Sequence, residues 1–157
     1  MPTPDFILEL REHIGHQELW LTGISAVVLD AARERMLCVR RADSGAWTPV
    51  TGILDPGEEP AVAAEREVLE EAGIRCRALR LVDVRTIAPI THPNGDRARY
   101  LDLCFLCTHE AGEPHPADGE NTEAAWFPLY ALPEMNARFR EQIAIALSDE
   151  PAARFRR

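Results

Sequence analysis

Three glutamates, Glu67, Glu70 and Glu71, stand at the spacing i, i+3 and i+4 in a stretch rich in alanine and glutamate. On an α-helix, side chains three and four residues apart are neighbours, so the three carboxylates would gather within about one turn. Like charges in this arrangement repel one another, whereas a cluster of hard oxygen ligands suits Mg²⁺ or Mn²⁺. Taken alone, the three residues allow two interpretations, a solvated acidic helix face or a divalent-cation site.

The helix that would carry these carboxylates has clear limits in the sequence. Pro60 suits the first helical position, where its missing N–H is not needed, and Gly73 suits a left-handed residue after the last turn. At 100° per residue the segment has two faces. An apolar arc that would pack against a core contains Ala61, Val62, Ala64, Val68, Leu69 and Ala72. The opposite face contains Ala63 and the three glutamates, with Arg66 at its edge.

The stretch from residue 52 to residue 74 resembles the Nudix box, the pattern Gly-x5-Glu-x7-Arg-Glu-U-x-Glu-Glu-x-Gly-U in which U is aliphatic. All seven fixed identities are present, at Gly52, Glu58, Arg66, Glu67, Glu70, Glu71 and Gly73. Val68 and Ile74 occupy the two aliphatic positions. A match of this length is specific, and it favours the cation site over the solvated acidic face.

The resemblance implies an α/β fold of the Nudix type, an α/β/α sandwich with a mixed β-sheet, in a single domain over residues 1–157. It also implies metal-dependent hydrolysis of the diphosphate linkage in a nucleoside diphosphate derivative, with Mg²⁺ (or Mn²⁺) as the cofactor. ADP-ribose or a related compound is the first expected substrate, because Pro89 lies near the proline that marks ADP-ribose pyrophosphatases in the family. A house-cleaning nucleoside triphosphate pyrophosphohydrolase and a non-catalytic nucleotide-binding module are the alternatives.

In this family the box glutamates hold the metal, and the backbone carbonyl before the box glycine often assists them. The resemblance therefore implies metal ligands at Glu67, Glu70, Glu71, Thr51 and Gly52. Val50 and Thr51 stand where the family usually has Pro-Gly. If the family geometry requires a positive φ at this position, threonine is a costly occupant.

Further roles outside the metal ligands are implied by the same resemblance. Arg66 would orient the box glutamates, and Glu58 would support the preceding loop or a metal. The general base is expected to be Glu70 or a carboxylate outside the box. Outside the box, Glu120 is the first candidate and Glu123 is the second.

Two arginines, Arg40 and Arg41, end the second predicted strand. A basic residue near this point often reaches a substrate phosphate in the family, although the residues themselves favour a solvated strand end. His92 lies in a predicted turn, where it is either solvated or in contact with substrate.

The whole-chain composition limits the class of partner. The chain has 157 residues, of which 46% are hydrophobic and 27% charged, as in ordinary globular proteins. A net charge of −9 argues against nucleic-acid and membrane partners, which require basic surfaces. No apolar run reaches 18 residues and no signal pattern opens the chain, so a cytoplasmic location is expected. A small-molecule nucleotide is the expected partner, and a homodimer is what the family implies.

The four cysteines, at 38, 76, 104 and 107, are predicted to be buried apolar residues. Cys104 and Cys107 have the spacing of a zinc knuckle, but they fall within a predicted strand. Residues three apart on a strand point to opposite faces, so these two cannot share a metal.

The remaining pattern predicts the order of elements that must position these residues. In chain order it predicts an amphipathic helix over 4–14, a hairpin of strands 19–29 and 36–39, an extended segment 78–90, a turn 91–96, a strand 99–108, a mobile loop 110–121, a strand 123–128, a helix 136–147 and a frayed tail 149–157.

Overall fold

Helices separate runs of strands along the chain in the computed structural model, which describes residues 3–148 and 150–157. The described residues form α1 (Asp5–Ile14), β1 (Leu19–Leu29), β2 (Arg35–Arg41), β3 (Trp47–Thr48), β4 (Val50–Ile53), α2 (Pro60–Ala72), β5 (Arg75–Thr86), β6 (Ile90–Thr91), β7 (Arg97–Ala111), β8 (Asn121–Pro128), α3 (Ala137–Leu147) and β9 (Arg154–Phe155). A 3-10 turn, Leu129–Ala131, follows β8. None of the helices in this part of the chain has the length and apolar character needed to cross a bilayer.

The nine strands of the described residues form one mixed sheet, in which six follow the order β3-β2-β1-β7-β5-β9. The other three lie off this path, with β4 paired to β1, β6 to β7 and β8 to β2. Its centre is a long parallel pair, β1 and β7, in register from Leu19 opposite Ala98 to Leu29 opposite Thr108. The pairings of β1 with β4, β2 with β8 and β5 with β7 are antiparallel. The mixed sheet that the sequence implied is therefore confirmed.

Alternation along the central strands builds a separate core on each face of this sheet. Val28 and Cys107 belong to the core under α2, whereas Val27 and Cys104 belong to the core under α3. The predicted α/β/α sandwich is confirmed. The four cysteines are buried and unbridged, and Cys104 and Cys107 lie on opposite faces, as predicted.

The predicted limits of α2 are also confirmed. The helix begins at Pro60, and Gly73 follows it in the left-handed conformation, with φ 66° and its N–H donating to Leu69 O at 3.0 Å. An L-residue with a side chain would be strained at that φ. The last helix was predicted to begin at Asn136, and Asn136 is the N-cap of α3, where its side chain accepts the Phe139 N–H at 3.0 Å.

The predicted faces of α2 are wrong in part. Val62 and Leu69, assigned to the core, are 54% and 45% exposed, while Glu67 and Glu71 are buried. The helix is rotated so that its acidic side lies against β4 and the start of β8. Arg66 donates to one oxygen of Glu67 and Asn121 donates to one oxygen of Glu71. The spacing along the helix contains no information about Asn121.

The segment before β8, predicted to be a mobile loop, is docked on the end of α2. Strand β7 continues to Ala111, and the chain then donates backbone N–H groups from His115 to Ala72 O at 3.1 Å and from Ala117 to Glu71 O at 3.2 Å. The last carbonyls of a helix lack partners within the helix, and this segment supplies them.

The C-terminal tail also differs from its prediction. Residue 149 lies outside the described residues, but Arg154 and Phe155 form β9, which pairs in parallel with Asp83 and Val84 of β5. Arg156 then donates to the buried Asp83 carboxylate at 2.8 Å. Strand pairing and a buried counter-charge hold a segment that local composition alone made look frayed.

Candidate active site

A cleft of about 530 Å³ contains most of the predicted site residues. Predicted residues that line it are Arg41, Thr51, Gly52, Glu67, Glu71, His92 and Glu120. These residues come from β2, β4, α2, the turn before β7 and the loop before β8, so the fold brings together positions that are far apart in sequence. Asp102 and Arg138 also line the cleft, although sequence reasoning assigned them no role.

Gly52 and Glu67 are in close contact at the wall of the cleft. An ideal Cβ on Gly52 would lie 2.1 Å from Glu67 Cδ, so the box glycine is needed for space beside the carboxylate. Glu67 Oε1 accepts from Arg66 Nη1 at 3.0 Å, whereas Oε2 is buried without a hydrogen-bond partner in the described residues. Burial raises the pKa of Glu67 to about 8 against the opposing effect of Arg66.

Glu71 is the second buried acid, one turn further along α2. Its Oε2 accepts from Asn121 Nδ2 at 2.9 Å, and burial raises the pKa of Glu71 to about 7. Asn121 is the first residue of β8 and has its own Oδ1 unpartnered in the described residues. Sequence reasoning missed Asn121, and the available signal was its place directly after Glu120.

Arg66 connects the loop before α2 with the acidic face of the helix. Its Nε and Nη2 donate to both oxygens of Glu58, at 2.8 and 2.9 Å. Its Nη1 donates to Glu67 at 3.0 Å and to Glu70 at 3.2 Å. Glu58 in turn accepts from the Asp55 N–H at 3.3 Å, and the Arg66 hydrogen bonds lower the pKa of Glu58. This is the geometry that the implied roles of Arg66 and Glu58 require.

Glu70 is separated from the other two box glutamates. Its side chain is 41% exposed and pairs with Arg66, and it is not among the residues that line the cleft. Because α2 buries the side that carries Glu67 and Glu71, Glu70 projects from the outer side of the helix. Its roles as metal ligand and general base therefore stay predictions.

The pairing of β2 with β8 separates the remaining candidates into two sets. Arg41 Nη1 donates to Glu120 Oε2 at 3.1 Å, and both residues line the cleft. Arg40 Nη1 donates instead to Glu123 Oε1 at 2.8 Å, and neither of these lines the cleft. Of these four candidates only Arg41 and Glu120 line the cleft, where the register of β2 against β8 shifts between Arg40 and Arg41.

Thr51 occupies its position without backbone strain. Among the described residues, Arg33 is the non-glycine residue with a positive φ, so Thr51 does not adopt that conformation. It extends β4 opposite Ser25, next to the fully buried Val50. The residues that replace Pro-Gly thus form a regular strand and leave the Thr51 backbone at the cleft.

The donor atoms around Glu67 fit a hard divalent cation. Within the described ranges, no group of three or more acidic, histidine or cysteine side chains is close enough together to hold a metal ion. However, Glu67, Glu71, Glu120, Thr51 and Gly52 all line one cleft, and Glu67 Oε2 lacks a hydrogen-bond partner among the described residues. Oxygen-rich donors of this kind are those that Mg²⁺ and Mn²⁺ prefer.

Comparison with known proteins places these features in a family. Residues 20–147 match the family model described as the NUDIX domain. The human 8-oxo-dGDP phosphatase NUDT18 is 29% identical over 136 residues, which cover 76% of this chain and 39% of that protein. A MutT-like protein from Streptomyces ambofaciens is 33% identical over 115 residues, covering 73% and 67%. The NAD-capped RNA hydrolase NudC from Chromobacterium violaceum is 29% identical over 111 residues, covering 69% and 39%. The chain thus spans about two fifths of the length of the NUDT18 and NudC relatives.

Solved structures resemble the fold over most of the chain. An ADP-ribose pyrophosphatase from Streptococcus suis superposes with a TM-score of 0.66 and 23% identity, covering 87% of this chain and 98% of that one. The MutT protein from Methanosarcina mazei Go1 gives a TM-score of 0.67 and 19% identity, covering 83% and 94%. At these identities the likeness supports the fold alone.

Proposed function

This chain belongs to the NUDIX family, and from that premise we propose that it hydrolyses the diphosphate linkage of a nucleoside diphosphate derivative, with Mg²⁺ or Mn²⁺ as cofactor. The observation that carries the proposal is the pair of buried carboxylates, Glu67 and Glu71, in the same cleft as Glu120 and Arg41. Arg66 pairs with one oxygen of Glu67, but Oε2 is buried without a hydrogen-bond partner in the described residues. Leaving a buried carboxylate oxygen unsatisfied is unfavourable, and a cation at the cleft wall would relieve that cost.

The chemistry follows from the charge of a diphosphate, which repels an attacking hydroxide. Divalent cations, when bound, neutralise the phosphate oxygens and acidify a water molecule. Glu67, Glu71 and the backbone at Thr51 and Gly52 would hold them, with Glu70 joining from the rim as the family pattern implies.

The side chains opposite α2 would act on the phosphate and the water. Arg41 would donate to a phosphate oxygen, and it forms a 3.1 Å ion pair with Glu120. Glu120 would accept the proton of the attacking water. The water oxygen then forms a bond to one phosphorus while the bridging P–O bond breaks, and two phosphate monoesters result.

ADP-ribose or a related compound is the first substrate we propose. NAD contains the same adenosine diphosphate joined to a second ribose, and a relative of this chain is named for NAD-capped RNA. A second candidate, an oxidised purine nucleoside diphosphate, is favoured by the relative named for 8-oxo-dGDP. A house-cleaning triphosphate hydrolase is the related alternative, supported by the MutT-like relative.

The test is hydrolysis of ADP-ribose, 8-oxo-dGDP, nucleoside triphosphates and nucleotide sugars with Mg²⁺ or Mn²⁺. AMP and ribose 5-phosphate from ADP-ribose are the products expected of the first proposal, and inorganic pyrophosphate from triphosphates would favour the house-cleaning alternative.

The variant Glu67→Gln should lose at least about a hundredfold in kcat. Glu59→Gln is the matched control, because Glu59 is exposed at the start of the same helix and its side chain makes no capping hydrogen bond. Full activity in Glu67→Gln would contradict the proposed metal face. No metal-dependent turnover on any compound would favour a non-catalytic binding module.

A further inference from the structure

A narrow slot opens beside the buried carboxylates, above Gly23 of β1. An ideal Cβ on Gly23 would lie 3.4 Å from Tyr100 Cδ1, 3.5 Å from Gly52 O and 3.7 Å from Asp102 Oδ1. All four residues line the cleft. The missing side chain of Gly23 thus leaves a space bounded by an aromatic ring, a backbone carbonyl and a carboxylate oxygen.

Asp102 is an anchored carboxylate, only 2% exposed, on β7. Ser25 Oγ donates to its Oδ1 at 3.0 Å and lies 3.2 Å from Oδ2. Gln142 Nε2 donates to Oδ2 at 2.5 Å, and Arg138 Nη1 lies 3.4 Å from the same oxygen. Groups from β1 and α3 therefore hold Asp102 in one orientation.

The two oxygens of Asp102 are used unequally. A carboxylate oxygen accepts about two hydrogen bonds. Oδ2 receives Gln142, with Arg138 and the Ser25 hydroxyl close by, whereas the contact of Oδ1 is with the hydroxyl of Ser25. Oδ1 is also the oxygen that borders the space over Gly23. It keeps capacity to accept one more N–H from a ligand.

The walls of the slot suit a flat ring. Tyr100, Ile87 and Ile90 line the cleft beside the polar floor. Apolar walls with a few fixed polar groups are typical of small-molecule sites, in which the polar groups set orientation and specificity.

Gly52 lies between the slot and the buried carboxylate of Glu67. Gly52 faces Glu67 on one side, and its carbonyl oxygen borders the space over Gly23 on the other. A ligand with a ring in the slot would therefore extend its phosphate groups toward Glu67 and Glu71. A nucleotide has this combination of a flat, nitrogen-rich ring and a phosphate chain.

We propose that the slot over Gly23 binds the nucleobase, and that Asp102 is a specificity-determining residue that accepts a hydrogen bond from an amino group of the base. This assignment rests on the proposed function, in which the diphosphate of the same molecule lies at Glu67 and Glu71. It selects bases that carry an exocyclic amino group over those that lack one.

The first test fills the slot with Gly23→Ala. The added methyl group would make ordinary van der Waals contacts, and Gly23 does not have a positive φ, so the variant should fold. We expect KM for the best nucleotide substrate to rise about tenfold or more, because a ring and a methyl group compete for one space. The rate on ribose 5-diphosphate, which has no base, should stay within about twofold. An unchanged KM for the nucleotide would overturn the slot.

The second test changes the acceptor with Asp102→Asn and compares two matched pairs of substrates. These are GDP against IDP, and ADP against purine riboside diphosphate, which differ in each pair by one amino group. The wild-type protein should prefer the amino-bearing member of at least one pair by about tenfold, and the variant should lose that preference. Loss of activity on the base-free compound to the same extent would instead indicate that Asp102 supports the fold.

A binding measurement separates this inference from the proposed function. Calorimetric titration of the same bases as nucleoside monophosphates, in EDTA, needs neither metal nor turnover. If no compound is hydrolysed but both variants weaken monophosphate binding, the proposed function fails and the slot stands. If both variants are folded and bind every base as the wild type does, the slot is wrong whatever the enzyme activity.

Discussion

A Cβ atom on Gly52 would lie 2.1 Å from Cδ and 2.3 Å from Oε1 of Glu67, so β4 and α2 can pack this closely only because Gly52 has no side chain. The clash also includes Glu67 Cγ, at 2.4 Å, and Glu67 is fully buried, so Gly52→Ala should force the whole Glu67 side chain out of its position. We expect kcat with Mg²⁺ to fall by at least about a hundredfold, as expected for loss of the carboxylate itself.

The measurement for Gly52→Ala combines steady-state kinetics with a thermal unfolding curve. Glu67→Gln is the reference for a lost carboxylate in an otherwise unchanged wall. A Gly52→Ala protein as active as the wild type would show that close contact with Glu67 is not needed for the reaction.

Glu58 should stabilise the protein above its unfolded pKa of about 4.5, because the Arg66 hydrogen bonds lower its pKa in the folded state. That contribution is lost as the pH falls through the lowered value, when the carboxylate becomes protonated. At pH 7 the free energy of unfolding of Glu58→Gln should be lower than that of the wild type by about 1–3 kcal/mol. The difference should shrink below pH 4.5.

Urea unfolding of both proteins from pH 7 to pH 3 measures this dependence on Glu58. Glu59→Gln provides the control, since its side chain is exposed and should show a small, nearly constant difference. A wild-type advantage that persists unchanged at pH 3 would contradict the ion pair as its source.

Gly73 meets two requirements at once, a left-handed φ of 66° and space for the His115 ring, whose Cε1 would lie 2.1 Å from a Cβ. Gly73→Ala should therefore lower the free energy of unfolding by more than the 1–2 kcal/mol of the backbone strain alone. In the background of His115→Ala, the clash is absent and the same substitution should cost only the strain.

A double-mutant cycle by chemical unfolding measures the coupling between Gly73 and His115. Because His115 is exposed, a coupling energy near zero would mean that its ring rotates away at no cost, and it would contradict the predicted clash.

Arg156 donates to Asp83 at 2.8 Å and to Glu141 at 2.7 Å, and Asp83 is fully buried. Arg156→Ala leaves that carboxylate with Arg85 as its remaining charged partner, and should lower the free energy of unfolding by about 1–3 kcal/mol. Arg154→Ala tests the same tail without a buried partner, because its 3.7 Å pair with Glu150 is exposed. We expect that control to change stability by less than about 0.5 kcal/mol.

Chemical unfolding of the two C-terminal variants compares them directly. Equal effects of Arg156→Ala and Arg154→Ala would show that the pairing of β9 with β5, rather than the contact with Asp83, holds the tail.

Much of the fold followed from local patterns in the sequence. Pro60 and Gly73 marked the ends of α2, because both act through the backbone of their own positions. Period-two alternation correctly placed Cys104 and Cys107 on opposite faces of β7. The box pattern indicated the family and predicted Gly52 and Glu67 as site residues, although it contains no information about the contact between these two residues.

The sequence by itself determined the family and most of the elements in their order, since those depend on spacing along the chain, whereas β9 was predicted as a frayed tail. Tertiary structure decided which side of α2 is buried, and so why Glu67 and Glu71 line the cleft while Glu70 does not. It also decided between Arg41 and Arg40, through the irregular register of β2 against β8. Asp102 had no local signal at all, because its significance comes from groups that β1 and α3 bring to it. Local spacing specifies backbone conformation, whereas burial and pairing depend on distant residues that only the folded chain brings together.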